Sequence, residues 1–405
     1  MQEGVKAIDH QTRTPLSELS ARRERLQARM QQEGIDGTLI VQNADLFYFS
    51  GTIQQGQLYI PASGEPVLMV RKDFERARRE SALPQVAAFS SPRQLPGILK
   101  QHGLAVPETL GLELDVLPAN QYLNFTRLLE NTRMVDISPA VRMIRAVKSD
   151  YEVAIIRKAA AFSDQLAATV PSILKEGITE IELAGRIEAE ARKWGHQGLV
   201  RMRLFGGELF YGHVMAGKTA ATPSYLASPT GGTGVNPAMA QGSSLRPIGR
   251  HEPVLVDLVF VLDGYLSDHT RIFSIGELPE DLRRAHDAML AVQAAVKDAA
   301  RPGALAGDIY ELALSAAEER GLGDYFMGTG EQRIRFVGHG IGLELDEFPF
   351  LARGQKLPLE AGMIIALEPK AIFPEKGVVG IENTHVVTEA GLLQLGSCRE
   401  DVVVV

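Results

Sequence analysis

Helical spacing of apolar residues, a capping signal and a closing Gly34 predict a first helix over residues 17–34, SELSARRERLQARMQQEG. IDGTLIVQ follows as a strand-like run and leads into DLFYFSG. Residues 57–70 read as a strand, a turn at Pro61–Gly64 and a second strand. The strand-like GLELDV and a helix near 118–131 continue the alternation to about residue 136. Strands alternating with helices predict a small α/β domain, set at residues 13–143. A joint falls in ISPAVRMIRAVKSD, 137–150. Beyond it the pattern changes. Long helical periodicity covers 151–174, further helices fall at 179–194, 279–300 and 306–320, and β-rich runs at 254–262, 266–275, 362–368 and 378–387. Strand runs interleaved with a few helices predict an α+β domain with an antiparallel sheet, set at residues 148–405. No internal repeat of fixed period is present.

A chain of 405 residues suits two or three domains and can bury a sizeable core without disulfides. Its 45% hydrophobic content excludes intrinsic disorder, and 39 Gly and 21 Pro exclude collagen-like character. Cys398 is the only cysteine, which excludes a disulfide framework and suits a reducing compartment. A net charge of −8 repels nucleic acid and anionic lipid. The one dense basic stretch, Arg71 to Arg79, alternates with Asp73 and Glu75 and reads as a solvated helix face. No apolar run approaches the ~20 residues of a membrane span. The terminus MQEGVKAIDHQTRTP lacks the apolar core of a secretory signal. The expectation is a cytoplasmic protein with neither nucleic-acid nor membrane partners.

The most informative stretch is PVLVDLVFVLDGYLSDHTRIF, 253–273, two strands joined at Asp263-Gly264. Alternation places Val254, Val256, Leu258, Phe260 and Leu262 on one apolar face, and Leu255, Asp257, Val259 and Val261 on the other. With Asp263 and Gly264 as the turn, cross-strand partners have numbers summing to 527. Asp268 then lies opposite Val259 and diagonal to Asp257, with the two carboxylates roughly 5–8 Å apart. Either a cation relieves their repulsion, or one Asp is a turn residue and the other a protonated core acid. Oxygen ligands on a rigid sheet favour a divalent metal. RFVGHGIGLELDEFP (335–349) holds His339 between glycines that admit a close backbone approach. GMIIALEPK puts Glu368 at the end of an apolar strand, and GVVGIENTHVV puts Glu382 inside another, where a buried Glu needs a partner. Two Asp, two Glu and one His form a mixed oxygen and nitrogen set adequate for two metal ions.

Two other motifs compete. Gly212 to Thr219 matches the phosphate-loop pattern GxxxxGK[ST], with Asp257 as a possible acidic partner, but AATPSYLASPTGG after it is no helix. GGTG at 231–234 reads as a turn or substrate-side loop. His213, in FYGHVMAG, is either a satisfied core histidine or a substitute active-site imidazole.

The five candidate ligands occur in order: Asp257 in an apolar strand, Asp268 eleven residues on in SDHTR, His339 in GHGIG, Glu368 before Pro369 and Glu382 in IEN. This order resembles the pita-bread metallopeptidase family of prolidase, aminopeptidase P and methionine aminopeptidase. GIDGTLIVQNADLFYFSG is similar to the creatinase/prolidase N-terminal domain, and MIRAVKSDYEVAIIRKAAAFSD to that family's interdomain joint, so nearly the whole chain is covered. The resemblance implies an α/β creatinase-like domain before an α+β pita-bread domain. It also implies two divalent ions (Mn, Co, Fe or Zn), with Asp257 on one, His339 and Glu368 on the other, and Asp268 and Glu382 bridging. A metal-bridging hydroxide would hydrolyse Xaa-Pro bonds in short peptides, with Glu368 sharing proton handling. His213 and Arg271 are the expected substrate-binding residues, and a homodimer is the expected assembly.

The departures from that pattern are specific. Asp346 stands where a second His is usual, Ala240 or Gln241 where another His is usual, Gly380-Ile381 where an Arg is frequent, and Pro369 is followed by Lys370 rather than Gly. Asp346 is accordingly a candidate catalytic residue. The ligands persist while the surrounding chemistry has changed. That leaves a metal-dependent lyase, a hydrolase of another small amide, or a non-catalytic metal-binding homologue as alternatives.

Overall fold

The computed structural model describes residues 13–209 and 211–405. Residues 1–12, most of the stretch read for a secretory signal, and Phe210 of the FYGHVMAG run lie outside the described residues. The described chain forms two compact units.

Among the described residues one unit holds residues 13–145 together with Arg203–Phe205. Its sheet comprises β1 (Gly37–Ile40), β2 (Gly56–Pro61), β3 (Val67–Val70), β4 (Val86–Ala88), β5 (Thr109–Leu112) and β6 (Arg133–Asp136), in the order β4-β3-β2-β1-β5-β6. β1, β2 and β3 pair antiparallel and the remaining ladders are parallel, which makes the sheet mixed. Leu39, Tyr59, Met69, Leu110 and Leu112 pack with Leu95, Leu99 and Phe125 of the helices Leu95–Gln101 and Ala119–Leu128. The first helix, Leu16–Glu33, starts directly behind Pro15 without a side-chain cap and closes at Gly34 in the left-handed conformation, φ 66°. DLFYFSG is helical within Asn43–Ser50. The basic stretch enters the helix Phe74–Glu80, with Arg71, Arg76, Arg78 and Arg79 exposed as expected of a solvated face.

The other unit holds Ala146–Met202 and Gly206–Val405 of the chain. Its strands are β7 (Gly212–Ala216), β8 (Val254–Leu262), β9 (Tyr265–Ser274), β10 (Phe336–Gly340), β11 (Glu347–Ala352), β12 (Ile364–Leu367), β13 (Lys370–Phe373), β14 (Gly377–Gly380), β15 (Asn383–Thr388), β16 (Gly391–Gln394) and β17 (Val403–Val404). They form a sheet β17-β9-β8-β7, an antiparallel sheet β11-β10-β12-β15-β16 and a β13-β14 pair. The apolar face of β8 meets Leu166 and Val170 of the helix Asp150–Ile173, and Leu183 and Ile187 of the helix Glu180–Lys193. That core fixes the hairpin and aims its opposite face, with the two aspartates, away from these helices. The helices Glu280–Ala299 and Ala306–Glu318 pack on β14 and β11 respectively. Among the described residues no helix is long and apolar enough to cross a membrane.

One local expectation changes and another holds. The run 378–387 is not one strand: it breaks at Ile381–Glu382 between β14 and β15, which belong to different sheets. The phosphate-loop motif is the strand β7 followed by a single turn, Gly217–Ala220. Residues 212–216 pair with β8, so they form a ladder rather than an anion cradle.

Candidate metal centre

The hairpin β8–β9 forms as its sequence requires. Asp263 and Gly264 both adopt positive φ, 48° and 89°, which suits a two-residue turn matching the twist of the strands. Val259 faces Asp268 and Asp257 faces Thr270, the anticipated register. Asp257 is half-buried and Asp268 is buried.

His339 enters from β10. A Cβ on Gly338 would lie 2.6 Å from the Ala366 carbonyl oxygen, and one on Gly340 would lie 2.1 Å from that of Phe348. Only glycines therefore let β11 and β12 close on both sides of the histidine. His339 Nδ1 lies 3.1 Å from the Leu345 carbonyl oxygen and 3.2 Å from that of Gly340, which assigns its proton there and leaves the Nε2 lone pair free. Nε2 stands 3.9 Å from Asp268 Oδ2, 3.8 Å from Glu368 Oε1 and 4.0 Å from Glu382 Oε1.

Glu368 lies immediately past the end of β12. Glu382 sits in the break between β14 and β15, bridged to Thr270 of β9. Its Oε2 accepts from Thr270 Oγ1 at 2.8 Å, and its buried Oε1 has no hydrogen-bond partner. Arg271 explains why this irregular segment is fixed. Its Nε donates to the Arg399 carbonyl, Nη1 to the carbonyls of Thr270 and Glu382, and Nη2 to Asn383 Oδ1 and the Cys398 carbonyl. A guanidinium has five N–H groups, and all are engaged, with the residue 1% exposed. The expectation that Arg271 binds substrate is therefore corrected: no donor is left for one, and the side chain positions Glu382.

Lys370, absent from the expected site, is its main addition. It is 1% exposed, and its Nζ donates to Asp257 Oδ2 at 3.0 Å, Glu368 Oε2 at 2.8 Å and Glu382 Oε2 at 2.9 Å. The sequence signal was the charged residue after Glu368-Pro369 in an otherwise apolar, β-rich stretch. Burial would depress its pKa, but Asp257, Glu368 and Glu382 outweigh burial and hold it well above the usual lysine value. One ammonium does not balance four carboxylates. Burial, aggravated by Glu382 and Asp257, pushes Asp268 well above the ordinary carboxylate range. Burial with Glu368 and Asp257 pushes Glu382 up to about 7 even against Lys370. A set so strained is incomplete without a further cation.

Asp268, His339 and Glu382 offer donor atoms that all lie within 4.8 Å of one another. The Nε2–oxygen separations do not exceed 4.0 Å, and one ion with ligands at ~2.1 Å spans up to about 4.2 Å. The donor set and the orphaned Glu382 Oε1 thus fit one divalent ion. The remaining candidates border this set. Asp346 Oδ1 lies 3.7 Å from His339 Nδ1, with a side chain 33% exposed. His213 pairs with Asp257 across β7–β8, and its buried Nε2 has no partner, unlike a satisfied core histidine. Burial, with Lys370 adding to it, lowers its pKa, so it is neutral at pH 7.

The sequence pattern described as metallopeptidase family M24 matches residues 154–389, more than half of the chain. The chain belongs to that family. In this M24 protein residues 22–147 also match the creatinase/prolidase N-terminal domain. The Xaa-Pro dipeptidase of Pyrococcus furiosus is 29% identical over 388 residues, which cover 95% of this chain and 100% of that one. The structure of dipeptidase PepE from Mycobacterium ulcerans superposes with TM-score 0.77 at 28% identity, covering 97% of this chain and 99% of that one. An Xaa-Pro dipeptidase from Bacillus anthracis shares the two-domain fold at TM-score 0.81 and 23% identity, with 96% and 100% covered.

Proposed function

We propose that this M24 protein is a divalent-metal-dependent hydrolase of short peptides that cleaves Xaa-Pro bonds. The observation that carries the reading is the gathering of Asp268 Oδ2, Glu368 Oε1 and Glu382 Oε1 within 4.0 Å of His339 Nε2, with donors of Asp268, His339 and Glu382 all within 4.8 Å of one another. Relatives that are Xaa-Pro dipeptidases support the substrate class. The ligands are drawn from the five residues Asp257, Asp268, His339, Glu368 and Glu382, and manganese, cobalt, iron or zinc suits such oxygen and nitrogen donors. A bound divalent ion supplies a Lewis acid and can lower the pKa of water from 15.7 to about 7.

The protein's own groups do the rest. The Leu345 carbonyl holds the His339 tautomer. Glu368, in hydrogen-bond contact with Lys370, is placed to hold or pass a proton. Asp346 is the partly exposed carboxylate beside the histidine and the second proton carrier. His213 offers an unpartnered Nε2 beside Asp257 to a substrate polar group. The two compact units support domains at 13–143 and 148–405. A cytoplasmic homodimer completes the reading, and the lone Cys398 suits that compartment.

Assay of Xaa-Pro dipeptides and tripeptides with wild type and Asp346→His, with manganese and with chelator, tests the proposal. Metal-dependent turnover by wild type supports it. Wild-type protein that holds metal yet cleaves none of the panel sinks it, and transfers the case to another small amide or a lyase reaction. The replaced histidine positions, now Asp346 and either Ala240 or Gln241, are the observation that favours this second reading.

A further inference from the structure

The three oxygens that hold Lys370 Nζ come from Asp257, Glu368 and Glu382. Asp257 is the one carboxylate of the five-residue set that stands outside the convergence around His339 Nε2. Its close cationic partner is the ammonium. From this geometry we infer that Lys370 is a built-in cation that takes one of the two metal positions, so that the protein binds a single divalent ion at Asp268, His339, Glu368 and Glu382. The inference rests on the metal-centre reading above and deepens it.

The two carboxylates shared between the positions divide their oxygens. Glu368 presents Oε2 to Lys370 and Oε1 towards His339, and Glu382 does the same. Thr270 Oγ1 adds a second hydrogen bond to Glu382 Oε2, so that oxygen is satisfied while Oε1 is left for an ion. An ion ~2.1 Å from the three oxygens that hold Nζ would overlap the ammonium itself. The lysine has no evident way to yield, because it is 1% exposed and starts a strand, β13. The fold also makes room for it. Lys370 pairs with Gly380 in the β13–β14 ladder, and a Cβ at 380 would sit 2.7 Å from Lys370 Cα and 3.0 Å from its Cγ. The nearest atom to such a Cβ is the Pro369 carbonyl oxygen at 2.4 Å, so the close approach of the two backbones requires glycine at 380, and that approach brings Lys370 to the carboxylates.

The charge count follows the same division. Four carboxylates and one ammonium leave three negative charges, which one divalent ion reduces to one.

The test is metal stoichiometry, read by elemental analysis after equilibrium dialysis against saturating manganese, with electron paramagnetic resonance of the bound ion. Wild type should saturate at one equivalent per chain with the signal of an isolated ion. Lys370→Gly and Lys370→Ala, checked for folding by circular dichroism, should take up a second equivalent and give the signal of a coupled pair. Two equivalents in wild type overturn the inference and leave the metal-dependent hydrolase standing. No metal in wild type overturns both. A folded Lys370 variant that still stops at one equivalent also overturns it, since the ammonium then excludes nothing. The wild-type measurement decides even where both variants fail to fold.

Discussion

Individual side chains divide sharply in how much of their role the sequence reveals. Asp257, Asp268, His339, Glu368 and Glu382 stand out because each is a charged or polar residue in an apolar or glycine-rich strand context, where burial demands a partner. Lys370 obeys the same logic, yet its partners are 113, 2 and 12 residues away in sequence. Only the fold tells whether its ammonium points to solvent or into the carboxylates. Arg271 misleads in the other direction. Its SDHTR setting suggests a substrate contact, while five hydrogen bonds to protein oxygens make it a scaffold. The residue most exposed to test is Asp268, whose Oδ1 accepts from the His269 backbone at 2.9 Å while Oδ2 faces His339. Asp268→Asn keeps the volume and removes the charge that a divalent ion needs. Manganese affinity should fall by at least ~100-fold, beyond the usual range for outer residues, in a chelator-competition titration. Unchanged affinity would remove Asp268 from the metal set.

At the level of elements, the hairpin was legible and the corner was not. Alternation of apolar residues and the Asp263-Gly264 turn determine the β8–β9 register without any long-range information. The break at Ile381–Glu382 depends instead on contacts remote in sequence. Gly380, at φ 153°, lets the chain pass within reach of the Pro369 carbonyl, and Arg271 and Thr270 hold the far side of the corner. A window of valines and a glutamate reads as one strand because nothing local marks the change of sheet. If the corner is what aims Glu382, then Arg271→Lys should loosen it, since three rotatable donors cannot reproduce five in a fixed fork. Manganese affinity should drop ~10–100-fold, as for other residues that orient ligands, while circular dichroism shows the fold retained. An affinity within twofold of wild type would mean that the corner holds its shape without Arg271.

At the scale of the whole molecule, both fold classes were readable because strand–helix alternation and segregated strand runs are summed over many residues. The return of Arg203–Phe205 to the first unit was not, because it rests on one long-range cluster. There Asp45, fully buried, takes Arg145 at 2.5 Å and Arg203 at 2.7 Å. Burial alone would raise the Asp45 pKa, but Arg145 and Arg203 override it and hold it well below the usual carboxylate range. A depressed folded value stabilises the unit above the unfolded value near 3.8, and that stability is lost as the pH falls through the folded value. Glu113 beside it is raised by burial and by Asp45, so it titrates higher and adds nothing to the loss in acid. Asp45→Asn leaves two buried guanidinium groups with less compensation and should cost about 3–5 kcal/mol near neutral pH. Urea unfolding followed between about pH 5 and 2 should decline less steeply for the variant than for wild type. Parallel declines would assign the acid sensitivity elsewhere.

The division into units carries the last consequence. Every group of the candidate centre, from Asp257 to Glu382 with Lys370, Thr270 and Arg271, belongs to the unit that holds Ala146–Met202 and Gly206–Val405. So do the glycines that admit His339 and the helices that bury the apolar face of β8. Arg203 is the exception that a truncation would strand, since its partners Asp45 and Asp115 lie in the other unit's sequence. A fragment of residues 146–405 with Arg203→Ser removes that orphaned charge and should still take up one manganese per chain. Binding should raise its stability by about 2.7 kcal/mol at a free metal concentration 100 times the Kd, if the unfolded chain binds none. The measurement is denaturant unfolding of the fragment with and without manganese, beside its metal content after dialysis. A folded fragment that holds no metal would show that the centre depends on the other unit in a way its own contacts do not reveal.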